Sequence, residues 1–282
     1  MLKERYTDQL KRLTGMKEEM NHYRPLDPKQ VRLLEQSVRV EHVWSSNAIE
    51  GSTLTRSETA SIINKGMTIH GKSVKETLEA IDLAEAYDYV AELVRTQTPL
   101  SETLIRDINR LVMLKTTDLR ETAGAYRVVD AWPEGSEEHY YTAPYEIQPA
   151  VHELVQWANQ AVNHLHPVQY AADLHQKLVS IHPFIDGNGR TSRLMMNFAL
   201  TEAGYPVINI QPDKKARDTY MDALAIARNT GDLKPFEELV ADYVESTLAK
   251  RLQLLRQNEK NLCDAERDTA LPKKIQKKPR ER

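Results

Sequence analysis

Residues 181–197 read I-H-P-F-I-D-G-N-G-R-T-S-R-L-M-M-N. Upstream, Ala171, Leu174, Leu178 and Ile181 recur at helical spacing, and downstream Leu194, Met195, Phe198 and Ala199 resume it. The stretch therefore reads as a loop between two helices, the second beginning at about Gly189. A Gly-Asn-Gly turn ahead of a helix can aim successive N–H groups into one concavity, because glycine reaches positive φ without a Cβ clash. The helix N-terminus adds roughly half a positive charge, and Arg190 and Arg193 add two fixed, fork-shaped cations. The expected guest is a polyphosphate. Asp186, just before the turn, is a hard oxygen donor suited to Mg2+, which bridges phosphate oxygens and keeps most of its waters. His182 is the one side chain of the cluster able to accept a proton near neutral pH. Taken singly, His182 also reads as a helix-end histidine, Asp186 as a turn residue and Phe184 as core. A loop needing only a turn, however, has no use for a base, a metal ligand and two arginines together.

His182, Phe184, Asp186, Gly187, Asn188, Gly189, Arg190 and Arg193 match without departure the motif H-x-F-x-[DE]-G-N-G-R-x-x-R, and in this the chain resembles the Fic-domain family. The resemblance implies an enzyme that moves AMP from ATP to a Ser, Thr or Tyr hydroxyl of a protein, releasing pyrophosphate. By the same resemblance His182 would deprotonate the acceptor, Asp186 would hold Mg2+, the turn of Gly187, Asn188, Gly189 and Arg190 would cradle phosphates, and Arg193 would contact the γ-phosphate.

Nearer the start, residues 1–23 are polar and helix-compatible, and Pro25 ends that run. Asp27 followed by Pro28 is a helix start, the carboxylate capping N–H groups and the proline standing where no donor is missed. This helix would carry Val31, Leu34 and Val38 on one face, pass Trp44 and stop at Gly51. Glu50 is out of place there, since a carboxylate in a last turn faces the negative end of the dipole unless a cation compensates. Alone it reads equally as a solvated surface glutamate. Ser46-Asn47-Ala48-Ile49-Glu50-Gly51 is similar to the [ST]-x-x-x-E-[GN] inhibitory motif of Fic proteins. That resemblance implies that Glu50 pairs with Arg193 and restrains the enzyme.

Between these landmarks, residues 75–94 are strong helix formers, and Thr98-Pro99 with Ser101 and Glu102 opens a further helix whose apolar face is Leu104, Ile105, Ile108, Leu111 and Val112. Residues 124–130 and 138–142 are β-prone runs flanking the turn residues W-P-E-G-S-E, and so read as a β-hairpin. It can be a plain surface hairpin. Fic proteins have a flap here, and the resemblance places Tyr141 and Thr142 near the incoming hydroxyl, with the edge of the hairpin pairing with a target segment. Val151, Leu154, Val155, Ala158 and Val162 mark another helix, and one from about Pro167 leads into the motif. His164, His166 and His175 lack a cysteine or carboxylate at ligand spacing, which argues against zinc.

Beyond the motif, A-G-Y-P at 203–206 is a helix stop, residues 207–210 are extended, residues 213–228 are helical and N-T-G-D at 229–232 is a turn. Tyr220 and Asn229 are the candidates for nucleoside contact, although the family commonly shows two adjacent tyrosines where this chain has Tyr220-Met221. A last helix over residues 235–257 buries Phe236, Leu239, Val240 and Tyr243. From Asp264 the apolar period is lost, and the basic end reads as a disordered tail or a weak electrostatic tether.

Composition agrees with this reading. The chain has 282 residues, 40% hydrophobic and 28% charged, enough to bury a good core and suited to a mostly helical globule. The expected fold is all-α with a small β-hairpin flap, divided into an N-terminal helical region (1–74), a catalytic core (75–250) and a polar, basic tail (251–282). A net charge of -3 argues against nucleic acid or membrane as partners. The single Cys263 forms no internal disulfide, and the charged start and the lack of an 18-residue apolar run point to the cytoplasm. The expected partners are ATP and a protein target, with self-modification and a homodimer as further expectations. Two other readings stay open: removal of AMP from a modified protein by the same site, and a nucleotide-sensing module without turnover.

Overall fold

The computed structural model describes residues 2–117, 120–133 and 141–270. Ten α-helices account for most of them: α1 (Leu2–Met20), α2 (Pro28–Ile49), α3 (Arg56–Lys65), α4 (Val74–Arg95), α5 (Glu102–Met113), α6 (Ile147–Ala161), α7 (Pro167–Ile181), α8 (Asn188–Glu202), α9 (Lys214–Thr230) and α10 (Lys234–Ala270). The all-α expectation holds. No helix among the described residues is long and apolar enough to cross a membrane.

The centre is α8. Between residues 188 and 200 every residue except Gly189 is buried, so this helix has no solvent face and is enclosed by others. It packs most closely on α7, and α4, α5 and α2 complete its surroundings. α1 lies along α10, burying Tyr6, Leu10 and Leu13 at a spacing of four and three. Caps set the ends. Asp27 accepts from the N–H groups of Lys29 and Gln30 while Gln30 answers the Asp27 N–H, a closed capping box that starts α2 at Pro28. Val31, Leu34 and Val38 are only half-buried, and the enclosed part of α2 begins at Val40.

Four differences from the sequence reading have physical reasons. Helix α3 has no counterpart in the sequence reading, yet Thr55 and Glu58 form a second capping box there. Helix α9 runs through Asn229 and ends at Gly231, whose φ of 75° supplies the left-handed stop. Helix α10 continues unbroken past residue 250 to Ala270, so residues 264–270 are helix and not tail. Arg24 binds Glu259 and Glu266, and Arg256 binds Glu19, lending this polar stretch partners from the start of the chain. Residues 138–140 of the expected hairpin lie outside the described residues, and residues 124–130 form no strand. They carry a single bridge, Tyr126 to Phe184, and Tyr141 donates its N–H to Ala131 O at 2.9 Å.

Candidate active site

The loop from α7 to α8 is held by its own side chains. His182 closes α7 with φ 52°, a left-handed conformation that costs a β-carbon-bearing residue roughly 1 to 2 kcal/mol. Phe184 is buried, and both its backbone groups are taken by Asn188: Nδ2 donates to Phe184 O at 2.8 Å and Oδ1 accepts from Phe184 N at 2.9 Å. Asn109 of α5 donates to Asp186 O at 3.1 Å and to Thr191 Oγ1 at 3.2 Å. Gly187 has φ 77°, and a Cβ there would sit 2.9 Å from Met113 Sδ, so both conformation and space require glycine. Arg127, 4% exposed, donates to His182 O at 2.8 Å, to Val129 O at 2.7 Å and to Thr142 O, which ties the loop to the segment after residue 124.

This scaffold opens on a cavity of about 570 Å³ lined by His182, Gly189, Arg193, Glu50, Tyr141, Tyr220 and Asn229, together with Arg217, Arg228 and neighbouring residues. His182 Nδ1 stands 3.4 Å from Val179 O, which fixes Nδ1 as the donor and leaves Nε2 to accept. Burial pushes its pKa down to about 4, against a smaller upward pull from the Val179 carbonyl, so the ring is neutral at pH 7. Arg193 is 3% exposed and fully engaged. Nε donates to Ser46 Oγ at 2.8 Å, Nη1 to Tyr220 OH at 3.3 Å, and Nη2 to Ser46 O at 2.9 Å and Glu50 Oε1 at 2.6 Å. Arg217 donates to Ile49 O at 3.0 Å. Two cations thus meet the last turn of α2, the compensation that Glu50 needs at a negative helix end. Glu50 lies directly over the start of α8, where a Cβ on Gly189 would collide with its carboxylate.

Other expected residues stand elsewhere. Arg190 is buried away from the cavity, with Nη2 3.3 Å from Asp186 Oδ1 and Nη1 3.7 Å from Glu79 Oε1. The Asn188 side chain is spent on Phe184, so only backbone groups of that turn face a guest. Asp186 keeps a side chain 53% exposed, with Oδ1 bonded to the Gly187 N–H. Tyr220, a nucleoside candidate by sequence, is 1% exposed with its hydroxyl between Arg193 and His175, and its first task is to hold that arginine. Asn229 is exposed on α9 at the cavity rim. Thr142 contributes a carbonyl to Arg127 and does not line the cavity. Sequence reasoning gave no role to Ser46, Arg127 or Asn109, although Ser46 opens the six-residue stretch that singled out Glu50 and Arg127 closes G-A-Y-R at 124–127.

The Fic/DOC family model matches residues 99–200, from the approach to α5 nearly to the end of α8. The chain carries a Fic domain. Over 216 residues it is 38% identical to "Protein adenylyltransferase Fic" of Aedes aegypti, a match covering 76% of this chain and 42% of that relative. The chain therefore spans less than half the length of the curated relatives it matches. Its fold is similar to that of Fic-1 (residues 134–508) from C. elegans, with a TM-score of 0.81 at 27% identity over 91% of this chain and 74% of that one. A Fic domain containing signaling protein from Bacteroides thetaiotaomicron gives a TM-score of 0.78 at 26% identity, covering 88% and 98%. The matched region supplies the motif histidine and the second motif arginine, and Glu50, which precedes it in the chain, joins them on one cavity.

Proposed function

We propose that this chain transfers AMP from ATP to a hydroxyl of a protein target, and that Glu50 holds it in a restrained state. One observation carries the proposal: Glu50 Oε1 sits 2.6 Å from Arg193 Nη2 in the cavity that also holds His182. The N–H groups of Asn188, Gly189 and Arg190 open α8 without i−4 carbonyl partners, an anion seat in which the dipole adds its share. His182 Nε2 takes the acceptor's proton, the acceptor oxygen bonds to the α-phosphorus, and the bond to pyrophosphate breaks. With Arg193 bound to Ser46 and Glu50, a γ-phosphate there meets a carboxylate. Misplacing the α-phosphate from in-line attack by about an ångström costs on the order of a hundredfold.

Asp186, an exposed carboxylate bonded to the Gly187 N–H at the start of α8 and outside the cavity lining, is the residue that would hold Mg2+. No group of three ligating side chains occurs among the described residues, so the ion would share its sphere with phosphate oxygens and water. Bound there, it would neutralise charge developing on the phosphates. A cytoplasmic setting belongs to the same proposal, supported by the free Cys263. Self-modification and a homodimer belong to the same proposal and are read by label on the enzyme and by sedimentation.

The test is labelled ATP with a lysate or the enzyme alone. Glu50→Gly is expected to raise protein-bound AMP at least tenfold over wild type, and Glu50→Gly/His182→Ala to abolish it. Equal labelling by wild type and Glu50→Gly ends the restraint; no labelling by either ends the transferase reading. A second reading is favoured by the placement of the Glu50 carboxylate on the cavity beside His182, where it can orient water to remove AMP from a modified protein. Loss of AMP from a pre-modified target with wild type, and not with Glu50→Gly, would select it.

A further inference from the structure

Among the described residues four hydrogen bonds hold Arg193, and three of them end on the last turn of α2 and its cap, two on Ser46 and one on Glu50. The fourth is different. Nη1 donates to the hydroxyl of Tyr220 on α9, and Nη1 is also the nitrogen that a Cβ on Gly189 would meet at 3.0 Å, at the start of α8. Tyr220 is itself held from behind, its hydroxyl 3.0 Å from Nε2 of His175 on α7. Both side chains are enclosed, at 1% and 0% exposed, and Phe236 of α10 lies against the imidazole with ring centres 4.8 Å apart and planes inclined by 27°.

The direction of these bonds follows from counting protons. Arginine has only donors, so the phenol oxygen accepts from Arg193, and the phenol's own proton needs an acceptor. If His175 Nε2 takes it, one buried group goes unmet among the described residues, the N–H at Nδ1. If Nε2 donated instead, the phenol proton would be stranded together with the lone pair of Nδ1, two unmet groups in place of one. Burial and the nearby Arg193 keep the imidazole neutral, so Nε2 has a lone pair to offer. The chain therefore runs Arg193 to Tyr220 to His175, each donating to the next.

We propose that His175, acting through the Tyr220 hydroxyl, is a positioning residue that keeps Arg193 aimed at the phosphate seat when α2 withdraws. The role rests on the adenylyltransferase reading, in which loss of the Glu50 contact precedes transfer. Ser46 and Glu50 ride on one helix and leave together, so of the present partners of Arg193 only Tyr220 stays behind. A guanidinium without a partner regains rotamer freedom that a phosphate must then remove, and a fixed phenol lone pair spares that cost. Tyr220 thereby serves the triphosphate through its hydroxyl, a service that a phenylalanine ring cannot supply.

The experiment measures ATP and ADP affinity by calorimetry in Glu50→Gly/His182→Ala, which lacks the base, and kcat and KM for ATP in Glu50→Gly. Adding Tyr220→Phe or His175→Leu is expected to weaken ATP binding about tenfold, the size of one hydrogen bond to a charged group, and ADP binding less than about twofold. In the active parent the loss should fall on KM, with kcat kept within about threefold. Both changes together should cost no more than either alone, because they break one chain. His175→Gln, whose amide oxygen can take the phenol's proton, should restore ATP affinity to within about twofold of the parent. With Glu50 in place the tenfold loss should shrink below about threefold, since α2 then holds Arg193. Equal losses for ATP and ADP, a His175→Gln as weak as His175→Leu, or an ATP affinity unmoved by Tyr220→Phe would each overturn the role. Should His175→Leu fail to fold, nitrogen NMR of the imidazole, assigned with His175→Gln, decides: a proton on Nδ1 is expected, and one on Nε2 overturns the chain. If Glu50→Gly transfers no AMP, the adenylyltransferase reading fails, and the ATP and ADP affinities still judge His175.

Discussion

Arg193 divides its hydrogen bonds between two kinds of partner. Glu50 carries the charge but is 39% exposed on its side chain, so solvent screens it; Ser46 is neutral but 1% exposed, and its hydroxyl and carbonyl both hold the guanidinium. A hydrogen bond to a charged group contributes about 1.5 kcal/mol, roughly tenfold in an equilibrium. If α2 must loosen before Arg193 can meet a phosphate, Ser46→Ala should raise transfer by wild type about tenfold and fall short of Glu50→Gly. Labelling of the same lysate by both variants reads this, and a silent Ser46→Ala would assign the restraint to the carboxylate alone. His182, Glu50 and Arg193 were named from the two sequence strings that hold them, since singly His182 reads as a helix-end histidine and Glu50 as a surface glutamate, and all three line one cavity. Ser46 and the hydroxyl of Tyr220 were not legible, since a sequence names what a side chain can donate or accept but not which buried cation it turns towards.

Among elements, the extended stretch after α8 shows how one side chain replaces a strand partner. Asn197 Oδ1 accepts from Ile208 N at 2.9 Å, and its Nδ2 donates to Ile208 O at 3.0 Å, all of it buried. Asn197→Ala leaves two buried backbone groups unmet and should cost about 2 to 4 kcal/mol, seen as a lower urea midpoint at unchanged slope. A loss under 1 kcal/mol would mean that water takes the place of the amide. Elements with a strong period and a cap at the start, α2, α4, α5 and α7, were legible within a few residues. Helix α3 was missed although T-R-S-E is a capping box, because it is only ten residues long and sits among glycines. Helix α10 was cut short because its outer turns have no apolar period, and their partners Arg24 and Glu19 lie more than 230 residues away in sequence. Of the expected flap, the first β-prone run finds backbone partners in the motif loop, at Pro183 and Phe184, and the second lies mostly outside the described residues.

At the scale of the molecule, α1, α7 and α10 meet around two carboxyl groups, Asp173 and Glu237, 5% and 9% exposed, with Tyr6 beside them. Burial and the neighbouring Glu237 push the Asp173 carboxyl up to about 7. In the unfolded chain Asp173 gives up its proton near pH 4, whereas the folded protein keeps it to about 7. The unfolded state thus binds fewer protons across that interval, and this group's stabilisation, complete below pH 4, is lost as pH rises through about 7. His42 and His182, both pushed down to about 4 by burial, run the other way, since their contribution is lost as pH falls from about 6.5 to 4. Because the two slopes overlap and oppose each other, the stability of wild type alone hides both, and a difference is needed. Asp173→Asn keeps a hydrogen-bond donor for Glu237 without a charge to bury, so its stability relative to wild type should rise by about 2 kcal/mol between pH 5 and pH 8, roughly 4 to 8 °C in Tm. A difference that stays flat between pH 5 and pH 8 would mean that Asp173 is ionised in the folded protein throughout, and that the junction of α1, α7 and α10 is hydrated.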